Sequence, residues 1–181
     1  MQFAVAAIGR DRPGIVAAVA EVLLDHGANV EDSQMTILRG HFTMTLIVSL
    51  EDPAGAAAAE GLKQGLDTVR ERLGLEALSV SQVEHLGAMA PEPSHMVSVY
   101  GVDHPGIVHA VSAALAEESV NITDLTTRVF SGEGETPVYA MMIEVAISPD
   151  LDPADVERRL RAIAAEQSVE LSFRQLEHAL L

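Results

Sequence analysis

Two short segments hold the residues best suited to bind a small polar molecule. Gly9–Val16 reads GRDRPGIV, and Gly101–Val108 reads GVDHPGIV. In each segment an acidic residue, Asp11 or Asp103, precedes a Pro-Gly pair, at the point where an apolar strand pattern changes into a helical one. A helix start exposes unpaired backbone N–H groups that favour an anion such as a carboxylate. An aspartate beside them accepts hydrogen bonds from an ammonium, so the pattern indicates a binding site for a zwitterion.

The proline and glycine of each segment predict how the helix begins. The proline is expected at the first helical position, which makes the preceding residue the N-cap. The glycine then occupies the second helical position, where it costs about 1 kcal/mol relative to alanine. We interpret that cost as the requirement for close approach of a ligand to the free amides, or alternatively for tight packing of the helix on the sheet. The residues concerned are Arg12, Pro13 and Gly14 in the first copy and His104, Pro105 and Gly106 in the second.

The same offset of 92 residues relates two further pairs of polar residues. It carries Asn29 onto Asn121 and Asp32 onto Asp124. The asparagine side chains can donate to a carboxylate, and Asp32 can accept from an ammonium. The alternatives are that the asparagines cap a turn and that the aspartates are solvated residues protecting a strand edge.

The elements that must position these residues repeat in the order βαββαβ. The first strand, residues 2–9, is apolar throughout, which fits either burial on both faces or small alanines facing outward. Phe42 to Leu50 alternates apolar and polar residues, as expected for a sheet with one buried face. The pattern predicts helices from 13 to 26 and from Pro53, and strands over 29–38, 42–50 and 75–83, with the last strand of the second copy over 170–176.

This order predicts an α+β protein built from two ferredoxin-like βαββαβ sandwiches in tandem. We expect one domain over residues 1–86, a proline-containing linker over 87–94 and a second domain over 95–181. The copies differ mainly at 130–137, which is about five residues longer than its counterpart. The methionines are expected on the core faces of strands.

Composition excludes several classes of function. With 27 acidic and 11 basic residues, the formal net charge of −16 opposes binding to nucleic acid or to an anionic membrane surface. The chain has no cysteine, and its seven histidines show no metal-ligand spacing, so neither a metal nor a cofactor is expected. No signal peptide or membrane span is apparent, which predicts a cytoplasmic protein. Motifs of catalytic sites are missing from the sequence, so we expect no enzymatic activity.

An Asp-x-Pro-Gly-Ile-Val turn after a strand, an apolar helix, and Asn-(Val/Ile)-x-Asp opening the next strand together resemble the ACT family of small-molecule regulatory domains. Both copies carry these motifs, and two such units with little else are similar to stand-alone tandem ACT regulators. The resemblance implies that an amino acid or similar metabolite binds at an interface between ACT units, using the turn of one and the second strand of another. The implied residues are Asp11, Pro13, Gly14 and Asn29 in one unit and Asp103, Pro105, Gly106 and Asn121 in the other.

The resulting hypothesis is a non-catalytic regulator that binds an amino acid and acts through a regulatory protein partner, as a homodimer. The alternative is a protein-interaction or oligomerisation module without a ligand. An enzyme that uses the two turns as an anion site is a third class.

Overall fold

The computed structural model describes residues 1–50, 56–84, 91–131 and 136–177. Its elements follow the predicted βαββαβ order twice, in two units that comprise Met1–Gly87 and Ala88–Leu181. The first unit contains β1 (Gln2–Arg10), α1 (Ile15–Asp25), β2 (Ala28–Leu38), β3 (His41–Leu50), α2 (Ala56–Leu73) and β4 (Ala77–Val83). The second contains β5 (His95–Val102), α3 (Ile107–Glu117), β6 (Asn121–Phe130), β7 (Val138–Ala146), α4 (Pro153–Glu166) and β8 (Glu170–Gln175).

Each unit has one four-stranded antiparallel sheet. The strand orders are β2-β3-β1-β4 and β6-β7-β5-β8, so the first strand of each unit is central and its second strand lies at an edge. The two helices of a unit pack against each other and contribute to the same core as the sheet. The predicted pair of ferredoxin-like sandwiches is therefore confirmed.

The alternation of apolar and polar residues along the strands determines which face of each sheet is buried. On β3 the apolar residues from Phe42 to Leu50 are all buried, except Ile47, and the intervening residues face the other side of the sheet. On β1, Phe3, Val5 and Ala7 are buried whereas Ala6 and Ile8 are exposed. The first strand is thus covered on one face only, with Ala4, Ala6 and Ile8 on the other, which is close to the second of the two expected arrangements.

Two details of the prediction were wrong. The fourth strand begins at Ala77 rather than Leu75, because the Leu75 N–H donates to the Arg70 carbonyl (2.9 Å) in the turn that ends α2. Burial of the methionines is incomplete: Met44 and Met141 lie in the cores, but Met35 on the edge strand β2 is 48% exposed. Strand β2 lies at the edge of its sheet and is exposed along almost its whole length, so its apolar residues stay accessible.

Some predicted features lie outside the described residues. These are the start of the second helix at Pro53, residues 87–90 of the expected linker, and residues 132–135 of the longer loop. The connection between β6 and β7 comprises seven residues, 131–137, and the one between β2 and β3 comprises two, 39–40, so the difference in length is as predicted. In the described part of the chain, no helix combines the length and the apolar character needed to cross a membrane.

Candidate functional site

A glycine in the left-handed conformation starts the first helix of each unit. Helix α1 begins at Ile15 and α3 at Ile107, and the N-caps are Gly14 (φ 95°) and Gly106 (φ 107°). A side chain is strained at such positive φ values, so the conformation alone requires glycine. A Cβ placed on Gly14 would meet no atom within 4 Å, which rules out tight packing on the sheet as the reason for this residue.

The predicted helix start was therefore displaced. Arg12 and His104 are not N-caps, and the Pro-Gly pair forms a turn that precedes the helix instead of opening it. Proline is compatible with the first helical position, but it also fits a turn whose next residue has positive φ. Close backbone approach occurs earlier, at Gly9 and Gly101, where an added Cβ would lie 2.8 Å from Leu75 Cδ2 and 2.7 Å from Val169 Cγ1.

Each turn is held by the backbone and leaves the helix start free. In the second unit the Asp103 N–H donates to the Pro137 carbonyl at 3.2 Å, and the Gly106 carbonyl accepts from Ala110 N–H at 2.9 Å. The first unit repeats both bonds, from Asp11 to Gly40 and from Ala18 to Gly14. No described side chain caps either helix, so the first-turn N–H groups, which have no intrahelical acceptor, remain available to an anion.

In the second unit this turn borders a cavity of about 350 Å³. Strand β7 contributes Tyr139 to its wall; this residue is 7% exposed, and its hydroxyl has no hydrogen-bond partner among the described residues. Burial, with a contribution from the charge of Asp103, raises the pKa of Tyr139, so its hydroxyl stays protonated. The cavity is lined by Asp103, His104, Pro105, Gly106, Ile107, Val108 and Tyr139.

The His104 ring lies within hydrogen-bond distance of two backbone carbonyls, one in this turn and one at the end of α4. Its Nε2 lies 2.9 Å from the Gln167 carbonyl, at the end of α4, and its Nδ1 lies 3.1 Å from the Pro105 carbonyl. Both partners only accept, so the two bonds coexist only in the imidazolium, which donates from both nitrogens. The Gln167 carbonyl, and then that of Pro105, raise the pKa of His104. Its ring nitrogens are therefore occupied by the backbone.

The asparagines and the second pair of aspartates lie at the other end of each sheet. Asn29 pairs with Ser49, which pairs with Gln2 at the start of β1, whereas the turn follows Arg10 at its end. Eight residues of strand at about 3.3 Å each place Asn29 about 26 Å along the sheet from the turn, and Asp32, six residues away, lies about 20 Å from it. Asn121 and Asp124 occupy the equivalent places on β6.

Asp32 borders a second cavity, of about 480 Å³, and its carboxylate accepts from the Ser33 N–H at 2.7 Å. It directly follows a β-bulge between Val30 and Asp32, and β6 has the same bulge between Ile122 and Asp124. Among the described residues no group of three or more His, Asp or Glu side chains is arranged to hold a metal ion.

Tyr139 was not predicted as a site residue. It pairs with Gly101 as Phe42 pairs with Gly9, so the two aromatic residues are structural equivalents. The longer loop of the second unit moves this pair away from the constant offset of 92 residues. Alignment through the strand patterns, instead of by that offset, would have revealed a hydroxyl present in one copy only.

Comparison with known proteins identifies relatives over both units. The ACT domain family model matches residues 2–79 and 95–174. The glycine cleavage system transcriptional repressor of Escherichia coli is 25% identical over 176 residues, which cover 93% of this chain and 87% of the repressor. A solved structure of a protein from Galdieria sulphuraria is 29% identical, with a TM-score of 0.77, and the match covers 97% of this chain and 98% of that one.

A phosphoserine phosphatase of Mycobacterium tuberculosis is also similar, with 25% identity over 166 residues. The match covers 91% of this chain but only 38% of the phosphatase.

Proposed function

The chain belongs to the ACT domain family, and from this premise we propose that it is a non-catalytic regulator that binds an amino acid or similar small metabolite and passes the binding event to a protein partner. The observation that carries the proposal is the cavity at the second turn. There, free first-turn amides and the Asp103 carboxylate border one space, and Tyr139 forms part of its wall. Donors for a carboxylate and an acceptor for an ammonium are the complement of a zwitterion.

The free energy of binding that a sensor needs requires more contacts than one turn supplies. A helix start contributes about 0.3–1 kcal/mol toward an anion, whereas micromolar to millimolar binding needs roughly 4–8 kcal/mol. We propose that a further ACT unit, as in a homodimer, contributes the missing contacts through its second strand, where Asn29 or Asn121 lies. Such a ligand would favour one arrangement of the units over others, which is the differential affinity that allosteric coupling needs.

The proposed output is regulation of transcription through a protein partner in the cytoplasm. The similarity to the glycine cleavage system transcriptional repressor supports a regulatory role, and glycine is a first candidate ligand because of that relative's name. A net charge of −16 opposes direct contact with DNA, so the partner is expected to be a protein.

Exposed apolar residues on the edge strands favour a second candidate, a pure interaction module. Met35 and Ile37 on β2 are 48% and 43% exposed, and Leu125 and Val129 on β6 are 39% and 37% exposed. A partner or a second copy could cover these edges without any ligand.

Thermal unfolding of the full chain against the twenty proteinogenic amino acids separates the two candidates. A ligand at a hundred times its Kd adds about 2.7 kcal/mol to the free energy of unfolding, so at least one amino acid should raise the melting temperature clearly. Asp103→Asn and the matched variant Asp11→Asn report which turn is used, because each removes one carboxylate from an exposed position. A flat panel would reject the sensor and favour the interaction module.

A further inference from the structure

The open face of the second sheet, which is the face opposite its core, is rich in large apolar side chains. Residues that alternate with the buried positions of β5 and β7 lie on this face, together with their partners on β6. The strand register places three of them side by side in one row across the sheet. An exposed apolar patch that continues over several strands marks an interaction surface. The exposed apolar side chains are Phe130 (60%), Val102 (57%), Val138 (48%), Tyr100 (45%) and Met142 (41%).

The first sheet lacks this patch, although its strand order and register are the same. At three of the five equivalent positions its side chains are polar. It has Arg10 in place of Val102, His41 in place of Val138 and Thr45 in place of Met142. The fold itself therefore does not require an apolar open face.

Charged side chains of opposite sign lie on the two edges of the same face. In the row that contains Tyr100, Arg128 lies on β6 and Glu170 on β8. Four residues away along each strand, Asp124 lies on β6 and Arg174 on β8. None of these four charges has an ion pair among the described residues. Three strand spacings separate the two charges of a row by about 14 Å, so they do not pair within one sheet.

We propose that this open face binds the same face of a second copy of the chain, with a two-fold axis parallel to the strands. Sheets that pack face to face keep their strand directions within about 30° of each other. The axis places β6 of one copy over β8 of the other, so Arg128 meets Glu170 and Asp124 meets Arg174, each pair twice.

The apolar residues favour this axis over one that runs across the strands. A transverse axis would also match the charges, by placing Arg128 over Asp124. It would, however, bring the apolar row that contains Val138 opposite the far end of the sheet, where Asn121 pairs with Ala146. The parallel axis keeps apolar residues opposite apolar residues, because Val138 then lies over Val102.

The size of the face predicts a reversible dimer. Four strands about 4.8 Å apart and four rows about 6.7 Å apart span roughly 500 Å² on each copy. Two such faces bury on the order of 1,000 Å², which is near the lower limit for specific complexes, so we expect a dissociation constant in the micromolar range. This inference goes beyond the proposed function, because the interface needs no ligand and leaves the backbone of the edge strands free.

Sedimentation equilibrium of the full chain, without any amino acid, tests the interface. The unmodified chain should pass from monomer to dimer as its concentration rises. Met142→Lys places an ammonium within the apolar face and should weaken dimerisation at least about tenfold. Thr45→Lys is the matched control, because it makes the same change at the equivalent place on the first sheet, and it should dimerise as the unmodified chain does. Circular dichroism verifies that both variants are folded.

Reversal of the charges tests the two-fold axis. Arg128→Glu and Glu170→Arg each bring like charges together between copies, and each should weaken the dimer about tenfold. The variant with both changes restores opposite signs and should recover most of the affinity. Since the two residues do not pair within one sheet, this recovery requires contact between two copies.

The following results would overturn the proposal. A chain that remains monomeric at about 1 mM does not use this face to bind a second copy. Equal effects of Met142→Lys and Thr45→Lys would mean that the copies associate through another surface. A double charge reversal that dimerises no better than either single variant would contradict the axis parallel to the strands. Because no amino acid is present, each of these results leaves the proposed sensor to be judged by its own test.

Discussion

Without any amino acid present, Tyr139→Phe is expected to make the protein more stable. Most substitutions in a core destabilise because they leave a cavity or an unpaired group. Here the change removes only a hydroxyl that is buried and, among the described residues, unpartnered. Phe42 shows that a phenyl ring is accommodated at the equivalent place in the same fold.

The size of the effect follows from the cost of an unpaired polar group. A buried donor or acceptor without a partner costs about 1–3 kcal/mol, and we take the lower end of that range. We therefore expect the free energy of unfolding to rise by about 1 kcal/mol. For a unit of this size that gain corresponds to a melting temperature about 4–8 °C higher.

Urea unfolding followed by circular dichroism measures the difference, with Phe42→Tyr as the mirror variant. That variant adds a hydroxyl to the first core and should lose about 1 kcal/mol. A Tyr139→Phe variant less stable than the unmodified chain by 1 kcal/mol or more would show that the hydroxyl is paired in the folded protein. The assumption that the hydroxyl is unpaired would then be wrong.

Three further changes test individual features of the fold. Gly106→Ala should destabilise by about 1–2 kcal/mol in urea, because an alanine Cβ is strained at φ 107°, and an unchanged midpoint would contradict the left-handed N-cap. Asp152→Ala should lower the free energy of unfolding by about 1 kcal/mol, because the Asp152 carboxylate accepts a hydrogen bond from the N–H of the second residue of α4 at 2.9 Å. A loss below about 0.3 kcal/mol would mean that this cap does not stabilise the helix. Burial lowers the pKa of His95, so the unfolded chain takes up a proton at a higher pH than the folded one, and stability falls as pH drops below about 6.5. His95→Phe, which introduces the residue found at the equivalent Phe3, should therefore lose less stability than the unmodified chain between pH 7.5 and 5. Equal losses would exclude His95 as a source of this pH dependence.

Periodicity predicted the fold because each unit buries one sheet face and one stripe of each helix. The alternation from Phe42 to Leu50 and the repeated order of elements leave few other arrangements of these strands. Helix starts were predicted less well, since a Pro-Gly pair satisfies two local geometries and only the φ of Gly14 and Gly106 distinguishes them. The exposure of Met35 was not predicted, because an apolar residue on an edge strand looks the same in sequence whether its face of the sheet is buried or not.

The sequence predicted the segment from Asp103 to Gly106 as part of the candidate site, but it did not predict Tyr139. Asp103 to Gly106 belong to a repeated motif, and repetition draws attention to them. Tyr139 lines the cavity but does not belong to the motif, because the first copy has Phe42 at the equivalent place. Periodicity assigns an inward tyrosine to the core and is correct in doing so, since the ring is buried; what it does not reveal is whether the hydroxyl has a partner.

Two of the differences between the copies fall on residues that line the cavity of the second unit. His104 replaces Arg12, Tyr139 replaces Phe42, and a segment of 131–137 replaces a two-residue connection directly before the strand that carries Tyr139. The first copy shows that the fold is complete without any of these changes, because its own core forms with a phenylalanine and a tight turn. Because the fold does not require them, the two changes that line this cavity, His104 and Tyr139, mark where a difference in binding between the two units is expected.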